Sequence, residues 1–94
     1  MAVVRLYAVL RDAAGQRDFE VELPAGAPIG ELLKRLVALR SKLRGKILDR
    51  NGSLPRYLAV FVNGRDIRHL SGLETPVQPD DEIAIFPPVA GGRV

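Results

Sequence analysis

Apolar and polar residues alternate along this chain at two different spacings, and the switches between them predict its elements. From Val3 to Arg11 the period is two: Val4, Leu6, Ala8 and Leu10 point one way, and Arg5, Tyr7, Val9 and Arg11 the other. That is a strand pattern. Asp12 to Gln16 reads as a turn, with Gly15 free to take a positive φ. Arg17 to Leu23 then sets Phe19, Val21 and Leu23 against Asp18, Glu20 and Glu22, the mark of a half-buried strand paired as a hairpin with the first. After Pro24 to Pro28 the period lengthens. Ile29, Leu32, Leu33, Leu36 and Val37 form one apolar stripe and predict a helix over Ile29–Arg40. Pro28 suits its first turn, and Glu31 lies where the helix dipole favours an acid. Leu43, Ile47 and Leu48 suggest a short second helix.

Asn51-Gly52 is a turn. Tyr57 to Val62 is rich in β-formers and reads as a central strand. Asn63-Gly64 is a hairpin turn, with Asp66–Arg68 as a short return strand. Leu70 to Pro79 is irregular, and Glu82–Phe86 is the last strand. The order β-β-α-β-(β)-β leaves one face of a mixed sheet covered by a single long helix. The first and last strands can then lie parallel at the centre, joined through that helix. This predicts an α+β, β-grasp (ubiquitin-like) fold of four to five strands. Residues 1–88 would form the domain, and residues 89–94 a mobile tail.

Composition narrows the chemistry. Ninety-four residues support one small domain with a simple core. The absence of Cys excludes disulfides, thiolate metal sites and a Cys nucleophile. A single His69 excludes any site that needs two imidazoles. No apolar run approaches a membrane span, and no signal peptide opens the chain, so a cytoplasmic protein is expected. Ser41, Ser53 and Ser71 have no nucleophile-elbow context, and the glycines form no phosphate loop. Asp80-Asp81-Glu82 fits a solvated turn better than a metal site. An enzyme is not expected, nor a bound cofactor or metal.

The formal net charge is +3, unevenly spread. Residues 34–56 carry Lys34, Arg35, Arg40, Lys42, Arg44, Lys46, Arg50 and Arg56 against Asp49 alone, between two segments that are each net acidic. Such a run is most simply a solvated face. No aromatic interleaves with it to stack bases, which argues against a nucleic-acid partner.

The ending is more telling. Pro87 and Pro88 stiffen the exit from the last strand, and small residues run to Gly91-Gly92. A peptide without side chains can enter a narrow channel in a partner. The stretch Asp81-Glu82-Ile83-Ala84-Ile85-Phe86-Pro87-Pro88-Val89-Ala90-Gly91-Gly92 resembles the C-terminus of the MoaD/ThiS family of ubiquitin-like sulfur carriers. Val4 to Asp12, Leu23-Pro24-Ala25-Gly26, Ile29-Gly30-Glu31-Leu32-Leu33 and Val62-Asn63-Gly64 also match that family's pattern. The resemblance covers residues 3–92 and is most specific at the ending.

The resemblance implies a mechanism. An E1-like adenylyltransferase uses ATP to adenylate the Gly92 carboxylate, and sulfur from a desulfurase or rhodanese-type donor then replaces the adenylate. The thiocarboxylate serves as a portable sulfur nucleophile, most simply for the molybdopterin synthase large subunit in molybdenum cofactor biosynthesis. Carried over position by position, the tail residues are Gly91 and Gly92, and the partner-binding residues are Tyr7, Phe86, Pro87, Pro88 and Arg11. Two departures accompany it. Arg93 and Val94 follow Gly92, which implies trimming by a protease before activation. The middle, Leu54 to Pro76, is more similar to carriers serving cysteine synthesis, with a cysteine synthase-type acceptor, and to archaeal small modifiers conjugated to lysines.

Overall fold

The computed structural model describes residues 1–87. Strand β1 (Ala2–Leu6) leads into a short helix α1 (Val9–Ala14) and strand β2 (Asp18–Val21). A two-residue strand β3 (Ala27–Pro28) precedes the long helix α2 (Ile29–Leu39). After a 3-10 turn at Ser41–Leu43, strand β4 (Ala59–Val62) turns into β5 (Arg65–Asp66). Two further 3-10 turns, Ile67–His69 and Gly72–Glu74, lead to β6 (Pro76–Val77) and β7 (Glu82–Phe86). Five strands form one sheet in the order β2-β1-β7-β4-β5, and β3 pairs with β6 separately. β1 runs parallel to β7, while β2, β4 and β5 pair antiparallel to their neighbours. This is the predicted β-grasp: the first and last strands side by side, with one main helix across one face.

Pairing register decides which residues enter the core. Val4 pairs with Phe19 on one side and Ile83 on the other, and Ile85 lies between Leu6 and Val60. All six are buried, because the pleat turns alternate residues to the same face. α2 adds Ile29, Leu32, Leu33 and Leu36, each fully buried. The stripe read from the sequence is thus the face that meets the sheet, with Val37 at its half-buried margin. Leu43, Ile47 and Leu48 close the far side of the same core. Thr75 is the buried polar residue among those described. Its hydroxyl donates to the Gly72 carbonyl (2.7 Å), and its carbonyl accepts from the first amide of α2, Ile29 (2.8 Å).

Several expectations need correction. The first strand does not run to Arg11. It ends at Leu6, and Ala8, at φ 54°, breaks the extended run. The chain then coils, with the Leu10 amide donating to the Tyr7 carbonyl and the Asp12 amide to Ala8. Leu10, Ala13 and Ala14 also satisfy a helical spacing, and it is helix that buries Leu10 and Ala14. Gly15 takes the left-handed cap at φ 83°, as its position suggested. β1 and β2 still pair as expected, across a helical connection.

The second helix expected near residues 43–48 is only a 3-10 turn at Ser41–Leu43. β4 is an interior strand as expected, paired with β7 on one side and β5 on the other, but it starts at Ala59 rather than Tyr57. The reason lies in Arg68, whose guanidinium donates to the carbonyls of Pro55 (2.7 Å), Arg56 (2.9 Å) and Leu58, occupying the backbone groups a longer strand would have used. The return strand is Arg65–Asp66. Asp66 then accepts from the Arg68 amide (2.9 Å) and opens a 3-10 turn where Ile67 and Arg68 were read as strand. The expected tail, residues 89–94, lies outside the described residues, as does Pro88.

Candidate functional site

The face of the sheet opposite α2 carries the outward half of each alternation. On β1 and its extension these are Arg5 and Tyr7, on β7 Glu82, Ala84 and Phe86, and on β4 Phe61. The Tyr7 amide donates to the Ile85 carbonyl (3.2 Å), continuing the β1–β7 pairing one step past the strand and bringing Tyr7 level with Phe86. The two rings stack with centroids 4.4 Å apart and planes 5° from parallel. Phe61 meets Phe86 edge-on, at 5.8 Å and 90°. Offset stacks and edge contacts are the arrangements that ring quadrupoles favour. The three aromatics form one continuous platform, with Phe86 at its centre and 39% exposed.

A shallow groove of about 360 Å³ runs along this platform. Its polar rim is held in place. Arg5 lies 3.5 Å from Glu82 and 3.7 Å from Asp18. The Asn63 side chain accepts from the Glu82 amide (2.9 Å) and donates to Asp81 (3.0 Å). Asp81 also accepts from the Gln78 amide (2.8 Å), so Asp80 and Asp81 close a turn that leads into β7 at Glu82. Asp18 holds its carboxyl below the usual carboxylate range, chiefly through the hydrogen bonds from Arg17 (2.9 and 3.2 Å), with the charges of Arg17 and Arg5 adding to them. Arg17 is raised by the same contact. A half-covered apolar platform with a polar rim has the anatomy of a protein-binding surface.

Of the partner-binding residues inferred from the ending, Tyr7 and Phe86 come together here, and Pro87 follows directly at the groove's end, half-buried. Arg11 does not join them. It lies on α1 rather than on a strand, 3.6 Å from Asp12, and does not line the groove. Pro88, Gly91 and Gly92 fall outside the described residues. Phe61 is the member that sequence reasoning missed. Its signal was available, because its parity within Tyr57–Val62 sets it opposite Val60 and Val62. Only the β4–β7 register, with Phe61 facing Ala84, reveals which aromatic it meets. His69 is exposed in the Ile67–His69 turn, and no cluster of metal-ligating side chains occurs among the described residues. No described helix is long and apolar enough to cross a membrane.

Known proteins share the platform's scaffold. The ThiS family model matches residues 4–92. The chain belongs to the ThiS family. A protein of Archaeoglobus fulgidus assigned as a sulfur carrier is 42% identical over 85 aligned residues, covering 78% of this chain and 97% of that one. The crystal structure of SAMP1 from Haloferax volcanii superposes with a TM-score of 0.86 at 31% identity, covering 97% of this chain and 98% of that one. CysO of Amycolatopsis orientalis, crystallised in complex with BexX, superposes with a TM-score of 0.83 at 29% identity over 98% and 100% of the two chains. This ThiS-family chain therefore sits among ubiquitin-like sulfur carriers and modifiers. Its β-grasp scaffold is theirs.

Proposed function

We propose that this chain is a sulfur carrier that acts through the carboxylate of Gly92. What carries the reading is that the family match runs through residue 92 and so takes in Gly91 and Gly92, a few residues beyond the aromatic platform. An E1-like adenylyltransferase docks on Tyr7, Phe61 and Phe86 in the cytoplasm, with Arg11 as a separate contact on α1. Pro87 and Pro88 direct the tail into its active site. The Gly92 carboxylate attacks the α-phosphate of ATP, pyrophosphate is released, and the resulting acyl-adenylate carries AMP as a good leaving group. Sulfide-level sulfur from a donor then attacks the acyl carbon, AMP departs, and a thiocarboxylate is left. Arg93 and Val94 are removed by a protease beforehand, because a bulky Arg would not follow two glycines into a narrow channel. Catalysis belongs to the partner enzymes, and the carrier itself holds no cofactor.

The first acceptor reading is the molybdopterin synthase large subunit, favoured by Phe86-Pro87-Pro88. A second is favoured by the likeness to CysO and SAMP1: delivery to a cysteine synthase-type acceptor, or conjugation to lysines. One set of experiments separates them. The chain ending at Gly92 is incubated with the activating enzyme of the same cell, ATP and a sulfur donor, and its intact mass reports the exchange of oxygen for sulfur. The charged carrier is then offered to the large subunit with a pterin precursor, or to a cysteine synthase with O-phosphoserine or O-acetylserine. Isopeptide-linked ladders in cells would select the modifier. A variant lacking Gly91 and Gly92 that still supports sulfur delivery would overturn the carrier reading altogether.

A further inference from the structure

The aromatic groove is not the only cavity among the described residues, and a larger one stands apart from it. This larger cavity lies on the helix side of the molecule, between α2 and the loop over residues 44–52, and measures about 720 Å³, within the range of sites that hold a ligand. Its floor is apolar, made of Val37 from α2 and Leu48 from the loop. Its rim is cationic, with Lys34, Arg44 and Arg50 all exposed. Among the described residues none of these three makes an ion pair or a side-chain hydrogen bond, whereas Arg5, Arg11, Arg17 and Arg35 are each paired with a carboxylate.

One acid faces the cavity, Asp49, and its carboxylate is already engaged. Its Oδ1 accepts from the amides of Asn51 (2.8 Å) and Ser53 (2.9 Å), which closes the loop. Gly45 and Gly52, at φ 80° and 78°, line the remaining wall with open space where a side chain would stand, so an incoming backbone can approach closely. Three cations against the single Asp49 carboxylate leave the rim net positive around an apolar floor, and so favour an anionic occupant that also carries an apolar group. No aromatic lines the cavity to stack a base, which disfavours a nucleotide or RNA.

We propose that this cleft docks an acidic segment of a partner protein, with an apolar side chain seated between Val37 and Leu48 and carboxylates meeting Lys34, Arg44 and Arg50. The site is separate from the aromatic platform and independent of the sulfur-carrier reading, since its test needs no ATP, activating enzyme or sulfur. The full chain is titrated against a fluorescein-labelled peptide of repeated Glu-Leu-Asp units, and binding is followed by anisotropy. Replacing all three rim cations (Lys34→Gln, Arg44→Gln, Arg50→Gln) weakens binding about tenfold, roughly two- to threefold per charge.

An equal loss of charge at side chains that do not line the cleft (Lys42→Gln, Lys46→Gln, Arg56→Gln) changes binding by no more than about twofold, since exposed charges contribute little without a direct contact to the ligand. A Glu-Gly-Asp peptide, lacking the anchor, binds about tenfold more weakly. Amide resonances of Gly45 and Gly52 shift on binding while that of Gly64, in the aromatic groove, does not. Both triple variants are checked by circular dichroism for an intact fold. The proposal is overturned if the two triple variants lose binding equally, which would make the attraction a diffuse field. It is also overturned if oligouridine outcompetes the peptide for the cleft, if the shifts appear at Gly64, or if the chain self-associates through the rim cations.

Discussion

Truncating Phe86 tests whether the aromatic platform serves the fold or a partner, because each role sets its own magnitude. The ring is 39% exposed in the free protein, so about 60% of it is already covered by Tyr7, Phe61 and the sheet. An aromatic side chain offers roughly 150–250 Å². At about 25 cal/mol per Å², and allowing for the carbon that Ala retains, the covered part and its ring contacts contribute about 2–3 kcal/mol. Phe86→Ala should therefore lower Tm by about 8–20 °C in a domain of this size. Phe86→Leu keeps most of the covered area and loses mainly the stack, about 1 kcal/mol, or roughly 4–8 °C. Binding follows a different scale, because a partner seals the exposed part of the ring and reads its flat face. Truncation of a central aromatic anchor costs about 2 kcal/mol or more, so Phe86→Ala should slow thiocarboxylate formation at Gly92 about 30-fold or more at limiting activating enzyme. Phe86→Leu should slow it about tenfold while staying folded at the assay temperature. If Phe86→Leu is charged with sulfur at the wild-type rate, the platform is not what the activating enzyme reads. If Phe86→Ala melts with the wild type, the stack does not support the sheet.

Three further outcomes follow from local geometry. Arg68→Met keeps the aliphatic stem but strands the carbonyls of Pro55, Arg56 and Leu58; with two of the three bonds exposed to water, a loss of about 1.5–3 kcal/mol is expected by urea unfolding. Gly64→Ala places a Cβ at φ 83° in the two-residue turn between β4 and β5, where nothing lies close enough to clash, so its cost is conformational only, about 1–2 kcal/mol. Asp18 should titrate below the usual carboxylate range by carboxyl NMR, because Arg17 hydrogen-bonds its charged form. Because its folded-state pKa is lowered, its contribution to stability is complete above the unfolded pKa and disappears as pH falls through the folded value; Asp18→Asn should flatten that acid limb of the stability curve.

The sequence disclosed most where one periodicity dominated. The α2 stripe, the alternation of β2 and the limits of β7 all emerged because burial on a single face leaves a single solution. It misled where two periodicities were both satisfied. Val9 to Ala14 fits a strand by alternation and a helix by the spacing of Leu10, Ala13 and Ala14. The decision falls to Ala8, whose positive φ no residue-type preference announces. Tyr57 and Leu58 are good β-formers that stay out of β4 because Arg68, ten residues on, takes the Leu58 carbonyl, and such distant competition leaves no local trace. The platform was half legible. Parity set Tyr7 opposite Val4 and Leu6, and the family resemblance named Phe86, but the contact of Phe61 with Phe86 depends on a register between strands that only the fold supplies. The cleft beside α2 was legible only as a surplus of charge. Which of the eight cations converge on Val37 and Leu48 depends on how the 44–52 loop returns to the helix.

The position of β7 gives the platform a rigid support. As the middle strand of five, it is hydrogen-bonded on both sides and anchored by buried Ile83 and Ile85, and central strands of this kind are the last to open in local fluctuations. Phe86 is its final residue and Pro87 the next, so the ring and the start of the chain's exit share one rigid support. A partner that recognises the Tyr7–Phe86 stack thereby fixes where the following segment begins, without needing contacts to residues that carry no side chains to grip. The alternation of β7 serves both ends of this arrangement. Ile83 and Ile85 hold the strand in the core while Ala84 and Phe86 face outward. A one-residue slip against β1 or β4 would bury Phe86 and expose both isoleucines. The core and the presenting face are thus specified by the same five residues.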